Sequence, residues 1–328
     1  MQPIAISCGE PAGIGPEIAV AAWRELKGEI PLLWLGDPQH LPAGTDYHKA
    51  TDPADIHPFK MTVLARDFGS PATPGQPNPA HASGVIAAIA DAVALVQSGA
   101  ARALCTAPIH KAALIDGADF AYPGHTEYLA ALAGTDQVVM MLACDALRVV
   151  PTTIHLPLAE VPTALTASLL TDTLLITHAA LRRDFGIAKP RIAVAGLNPH
   201  AGEDGKMGHE EIEMIAPVLH ALRAQGMNIT GPLSADTMFH AGARQHYDVA
   251  VCMYHDQALI PIKTLDFSGG VNVTLGLPFI RTSPDHGTAF DIAGQGVANV
   301  SATQQAFEIL VRMAHHAKSQ GAFKEITL

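Results

Sequence analysis

Three histidines of the 328-residue chain each close a short apolar run: His155 ends RVVPTTIH, His200 ends RIAVAGLNPH, and His255, followed by Asp256, ends YDVAVCMYHD. In an open parallel sheet, ligands gather outside the carboxyl ends of the strands, so imidazoles 45 and 55 residues apart along the chain can converge there. Three neutral nitrogen donors with open positions beside them describe a catalytic metal site. Histidines scattered over unrelated loops would leave the same trace, because the chain holds 17 of them and triads separated this widely have no diagnostic spacing.

Two further sets have chemical potential. The segment RTSPDHGTAFDIAGQGVAN carries His286, Gly287, Asp291, Gly294, Gly296 and Asn299 in a loop leading to a helix near Ser301. Glycines admit a ligand close to the backbone, an aspartate accepts both hydroxyls of a ribose, and an asparagine bonds an adenine edge. A glycine-rich turn capping a terminal helix has the same composition. Lys263 in PIKTLDF and Arg281 in LPFIRTS are cations embedded in apolar sequence, costly there unless paired with a carboxylate or an anionic ligand. With Asn272 and the GHTE at 124–127 they form a candidate anion-binding set. Asp236, in GPLSADTMF, either caps the helix after it, accepts a proton, or orients a histidine ligand. The opening SCGEPAGIGPEI is not GxGxxG, and Gly9, Gly13, Gly15 and Pro16-Glu17 suit a structural strand-to-helix turn.

The elements that must position these groups alternate along the chain. Short β-branched runs (PIAISC, PLLWLG, ARALCTAP, QVVMMLAC and the three ending in histidine) are separated by Ala/Leu-rich stretches of helical period, including HASGVIAAIADAVALVQSG, 161–184 and 209–225. That pattern predicts an α/β protein with a mostly parallel sheet. The Pro/Gly-rich residues 69–83 predict a loop, and IDGADFAYPGHTE breaks the alternation at a domain change, with a return near 275. The chain is 48% hydrophobic with a net charge of -11 and scattered basic residues, which argues against a nucleic-acid surface. No basic leader precedes an apolar stretch and no segment reads as a membrane span of about 20 apolar residues, so a cytoplasmic protein with no membrane partner is expected. Cys8, Cys105, Cys144 and Cys252 are expected to be buried free thiols.

Taken in order, GEPAGIGPE, GHTE, TIHLP at 153–157, GLNPHAGE at 196–203, GPLSADT at 231–237, MYHDQ at 253–257 and GVNVTLGLPFIRTSPDHGTA at 270–289 resemble the 4-hydroxythreonine-4-phosphate dehydrogenase family of pyridoxal phosphate biosynthesis, over nearly the whole chain. The resemblance implies an isocitrate/isopropylmalate dehydrogenase-like two-domain α/β/α architecture with a central cleft. Its cofactor side would span 1–118 and 276–328, and 119–275 would form a metal-binding and dimerisation domain. It further implies a homodimer with the active site at the subunit interface, and one divalent metal (Zn, Co, Mg or Mn) on His155, His200 and His255. Substrate would be held by His125, Thr126, Lys263, Asn272 and Arg281, and NAD by His286, Gly287, Ala289, Asp291 and Asn299.

By the same resemblance, the metal acidifies the substrate's C3 hydroxyl. Asp236 or a solvent molecule at the metal takes the proton, with Lys263 the alternative base, and hydride passes to NAD. The resulting β-keto acid then loses carbon dioxide. A carboxylate at position 291 would repel a 2′-phosphate, which favours NAD over NADP. A related dehydrogenase of D-threonate or D-erythronate 4-phosphate would keep the same residues, whereas a non-catalytic phosphometabolite-binding protein would be expected to lose some of them.

Overall fold

A computed structural model describes residues 2–26 and 29–319. It divides into two compact units, residues 2–138 with Leu277–Ala314, and Val139–Gly276, to which residues 315–319 also belong. The stretch 119–138 therefore goes with the first unit: Tyr128 donates its hydroxyl hydrogen bond to Ile86 O and stacks with Phe120 and Tyr122 there. Of the expected cofactor-side span, 320–328 lies outside the described residues.

The first unit contains strands β1 (Ile4–Ser7), β2 (Leu32–Gly36), β3 (Tyr47–Ala50), β4 (Met61–Ala65) and β5 (Ala103–Thr106). Its helices are α1 (Gly15–Leu26), α2 (Ala82–Gln97), α3 (Lys111–Ala118) and α4 (His125–Ala133), followed late in the chain by a terminal helix, Ser301–Ser319, which belongs to this unit as far as Ala314. The second unit contributes β6 (Val139–Cys144), β7 (Leu147–Pro151), β8 (Arg191–Ala195), β9 (Asn228–Leu233), β10 (Val249–Cys252) and β11 (Val271–Leu275), after which β12 (Arg281–Pro284) returns to the first.

In the first unit the strand order is β3-β4-β2-β1-β5-β12, with every pair parallel. β1, β2 and β5 are buried throughout, as strands covered on both faces must be, which is why they read as unbroken apolar runs. Over them lies α2, apolar enough that Pro79–Gln97 meets the length and composition of a membrane span, against the expectation that no segment would. Here it packs on β1, β2 and β5. Gly9, just after β1, has φ +69, and a Cβ there would stand 2.4 Å from Pro108 O, so the turn requires glycine.

In the second unit the order is β11-β6-β7-β10-β8-β9. β11–β6 and β6–β7 are antiparallel, whereas β7–β10, β10–β8 and β8–β9 are parallel, so the ends of β7, β8 and β10 lie on one edge. The expected helix at 161–184 is broken: Val161–Ala164 ends, Thr166 caps a new start by accepting from Leu169 N at 3.1 Å, and Ala167–Arg183 follows. The one at 209–225 opens with a π-helical turn, Glu211–Ile215, before Ala216–Ala224. Of the loop expected at 69–83, residues 69–81 form it, ending in a short 3₁₀ turn at Pro79–His81, while Ala82 and Ser83 already belong to α2. All four cysteines are buried and free, as expected.

The β8 end of this unit is pinned by Asp248, which accepts from Arg191 N at 2.8 Å and Arg191 Nη2 at 2.8 Å. Burial pushes the Asp248 carboxyl up, but the Arg191 hydrogen bonds and charge outweigh it and hold the pKa below the ordinary carboxylate value. A depressed folded pKa contributes stability above the unfolded value and loses it as pH falls through the folded one. Asp248→Asn is therefore expected to cost about 1 kcal/mol at neutral pH, discounted because Arg191 is partly exposed, with the cost shrinking as pH falls below about 4 and gone only below the lower, folded pKa. Urea titrations of both proteins across pH 3–7 measure it, and a penalty unchanged at pH 3 would refute it.

Candidate active site

The three histidine-bearing segments leave their strands earlier than the apolar runs suggest. β7 stops at Pro151, β8 at Ala195 and β10 at Cys252, so His155 and His200 sit on loops and His255 is the first residue of a helix, His255–Leu265. The backbone at His155 has φ 45° and at His200 φ 54°, left-handed values that cost a side-chain-bearing residue on the order of 1–3 kcal/mol and cluster at functional sites. The His155 and His255 rings lie 5.8 Å apart between centroids. His255 Nδ1 is 2.7 Å from Asp256 Oδ1, an arrangement in which Nδ1 carries the proton and Nε2 keeps a lone pair for a cation.

His200 is exposed, with Nδ1 3.9 Å from Glu203 Oε2. Among the described residues no three His, Cys, Asp or Glu side chains come together as a metal cage, so one chain brings two of the expected ligands side by side and leaves the third apart. The donor chemistry fits a divalent transition metal; the convergence within one chain stops at two imidazoles.

Of the other expected residues in this unit, Asp236 is exposed on the short helix Ala235–Met238, which packs against the His200 loop, and its Oδ1 accepts from Ser234 Oγ at 2.5 Å. Lys263 lies in the last turn of the helix that begins with His255, its Nζ 5.7 Å from the Phe267 ring centre. Asn272 sits on β11 with Oδ1 buried and without a hydrogen-bond partner, which is unusual for a native side chain and suits a missing donor.

In the first unit, Arg281 opens β12 at 3% exposure, and its Nε and Nη2 both donate to Thr106 Oγ1, at 3.1 and 2.6 Å. Burial brings its pKa down to about 10. The His125 pKa falls well below the ordinary imidazole value, first through burial and then through the Arg281 charge, and its Nε2 is buried with no hydrogen-bond partner. A desolvated guanidinium beside a neutral imidazole with an open nitrogen suits an anion. His125 starts α4 and Thr126 follows it. Thr106 was not singled out from sequence, and an ordinary strand-end threonine carries no signal that could have done so.

The expected cofactor loop is held from below. Glu17 accepts from Gly294 N and, at 3.2 Å, from Gly296 N, so it ties the loop to α1 instead of only meeting the helix dipole. Asn299 accepts from Ser301 N at 2.9 Å and Ser301 Oγ at 2.7 Å, which is the capping role. Ala289 has φ 45° and packs against Ile14 and Ile18, Asp291 is exposed, and His286 Nδ1 lies 3.1 Å from Gly287 O. A cleft of about 430 Å³ lies between the turns after β1, β2 and β4, α1 and this loop, lined by Gly13, Arg24, Gln39, Pro74, Gly294 and Gly296 among others. The five expected cofactor residues are not among its lining residues; their loop neighbours are.

A family model described as "Pyridoxal phosphate biosynthetic protein PdxA" matches residues 31–310. The 4-hydroxythreonine-4-phosphate dehydrogenase of Roseobacter denitrificans is 67% identical over 316 residues, covering 95% of this chain and 97% of the relative. A crystal structure of 4-hydroxythreonine-4-phosphate dehydrogenase from Klebsiella pneumoniae superposes with a TM-score of 0.88 at 39% identity, covering 96% of this chain and 100% of that one. A terephthalate 1,2-cis-dihydrodiol dehydrogenase from Burkholderia xenovorans matches at 26% identity and a TM-score of 0.69, covering 95% of this chain and 98% of that one.

Proposed function

The chain belongs to the PdxA family of pyridoxal phosphate biosynthetic proteins and is a dehydrogenase, and on that premise we propose that it oxidises 4-phosphooxy-L-threonine at C3 with NAD and a divalent metal. The product, 2-amino-3-oxo-4-phosphooxybutanoate, decarboxylates to 3-amino-2-oxopropyl phosphate. The observation that carries the metal-dependent part is the side-by-side placement of His155 and His255 at the ends of adjacent strands.

When bound, a divalent ion held by His155, His200 and His255 supplies Lewis acidity to the C3 alcohol, and the nicotinamide supplies the hydride acceptor. The chain's own residues do the rest. Arg281, kept desolvated, and His125, neutral with Nε2 open, bind the anionic groups of the substrate with Thr126, and Asn272 and Lys263 are the substrate-binding residues of the second unit. Asp236, exposed next to the His200 loop, is the preferred proton acceptor for the C3 hydroxyl and Lys263 the alternative. The C3–H pair leaves as hydride and the hydroxyl proton goes to the base, so one NADH forms for each ketone. Asp291 and its loop receive NAD, supported by the neighbouring cleft at the carboxyl ends of parallel strands.

The protein acts as a cytoplasmic homodimer in this reading. Eight of the twelve exposed large apolar side chains among the described residues belong to the second unit: Leu156, Leu158, Leu175, Met207, Ile212, Ile260, Leu265 and Phe267. Leu156 and Leu158 line one pocket with His155 and His255, so the apolar surface proposed for the second copy adjoins the histidine pair.

Comparing NADH formation on 4-phosphooxy-L-threonine, D-threonate 4-phosphate and D-erythronate 4-phosphate tests the substrate. The amino acid is expected to have the highest kcat/KM, and a sugar acid exceeding it would reassign the enzyme. With NADP in place of NAD, a clearly higher KM is expected from the Asp291 carboxylate, and equal or lower values would remove that role.

A further inference from the structure

The three histidine segments are laced together by side chains that take no part in the proposed chemistry. Thr153, two residues before His155, is 4% exposed; its N–H and Oγ1 both donate to Met253 O, at 3.1 and 2.8 Å. Met253, two residues before His255, in turn donates its N–H to Gln257 Oε1 at 2.8 Å. The other end of the same carboxamide, Gln257 Nε2, donates to Gly196 O at 2.8 Å, at the start of the loop that carries His200. The two backbone partners fix which end of the amide is which, because Met253 N–H can only donate and Gly196 O can only accept.

Beyond Gly196 the His200 loop is held by Glu211, buried at 2% exposure. Its Oε1 accepts from Leu197 N and Asn198 N at 2.7 Å each, and its Oε2 accepts from Asn198 Nδ2 at 3.0 Å. The loop needs such holding, since His200, Ala201, Glu203 and Asp204 all carry positive φ. Glu211 fixes the shape of the loop, but within this network only Gln257 joins it to the strand end that leads to His255.

We propose that Gln257 is a positioning residue that sets the register between the His255 and His200 segments, with Met253 and Thr153 extending that register to His155. This rests on the metal reading above. Removing the link to Gly196 should leave His155 and His255 in place and displace His200. A glutamate at 257 makes that cut selectively: it has almost the same shape and can still accept from Met253 N–H, but it offers Gly196 O an oxygen where a donor stood.

The test uses the full-length protein, freed of metal and titrated with Co²⁺, read by calorimetry and by the visible d–d absorption of the bound ion. Gln257→Glu and Gln257→Ala are expected to weaken Co²⁺ binding about 10- to 100-fold. Their d–d bands should shift toward those of His200→Ala, a change that loss of stability alone would not produce. Should Gln257→Ala fail to fold, Gln257→Glu alone decides. Wild-type affinity and an unshifted spectrum in a folded Gln257 variant overturn the positioning role while leaving the metal reading intact. If the wild-type chain itself binds no Co²⁺, the metal reading fails and the positioning role falls with it.

Discussion

Replacing His255 by alanine is expected to lower NADH formation about a thousand-fold while leaving the chain folded. The magnitude follows from the several kcal/mol that a Lewis-acidic ion contributes to alcohol oxidation, at about 1.4 kcal/mol per factor of ten. The fold should survive because His255 is a partly exposed first residue of a helix, outside the apolar cluster formed by Val149, Ala250, Cys252, Ala258 and Ile262 beneath it. It also pairs with Asp256 on an exposed edge, where removing the imidazole strands no buried partner. Steady-state rates with added metal, beside a thermal melt, measure both halves. A variant that retains near wild-type turnover would remove His255 from the site.

Arg281→Met should be the second severe change, lowering kcat/KM about a hundred- to a thousand-fold. Truncating one partner of a buried charge pair costs roughly 2–5 kcal/mol, and here the lost partner belongs to the complex with substrate. The free protein should lose little stability, because methionine fills similar space and relieves a desolvated cation whose pKa burial has brought to about 10. Thr106 Oγ1 loses both of these donors in the exchange, a modest cost set against that relief. Kinetics and urea unfolding of the same preparation separate the two effects. Unchanged kcat/KM would mean that Arg281 serves only the packing of β5 and β12.

What could be read from sequence divides along physical lines. β1, β2, β5, β8 and β10 are continuous apolar runs because both faces of a parallel sheet are covered, and such runs announce themselves. The edge that holds the histidines followed from the same rule about strand ends. Where each strand stops was less legible. TTIH and GLNPH continue the apolar character of β7 and β8, yet they turn away into loops with left-handed φ at His155 and His200, anchored upstream by the tertiary hydrogen bonds of Thr153 and Leu197. The break at Leu165–Thr166 depends on a threonine cap that a run of helix formers conceals.

At the candidate site, the residues with distinctive chemistry were visible and their supports were not. Arg281 stood out as a cation in apolar sequence, but its partner Thr106 lies 175 positions away and carries no local mark. Gln257 reaches Gly196 across 61 positions, and Glu211 looks like any acidic residue at a helix start until its three hydrogen bonds are seen. Asn299 illustrates the reverse case. Its type suits an adenine edge, and in the structure its oxygen is committed to capping the terminal helix, leaving only its amino group for a ligand.

The claim that this dehydrogenase works through a metal held by strand-end histidines is tested most directly by stripping the enzyme with a chelator. NADH formation from 4-phosphooxy-L-threonine would then be followed as Zn²⁺, Co²⁺, Mg²⁺ or Mn²⁺ is returned. Activity should vanish in the stripped enzyme and come back with at least one of these ions, saturating at one ion per active site. Full turnover in metal-free enzyme, indifferent to every ion added, would contradict it.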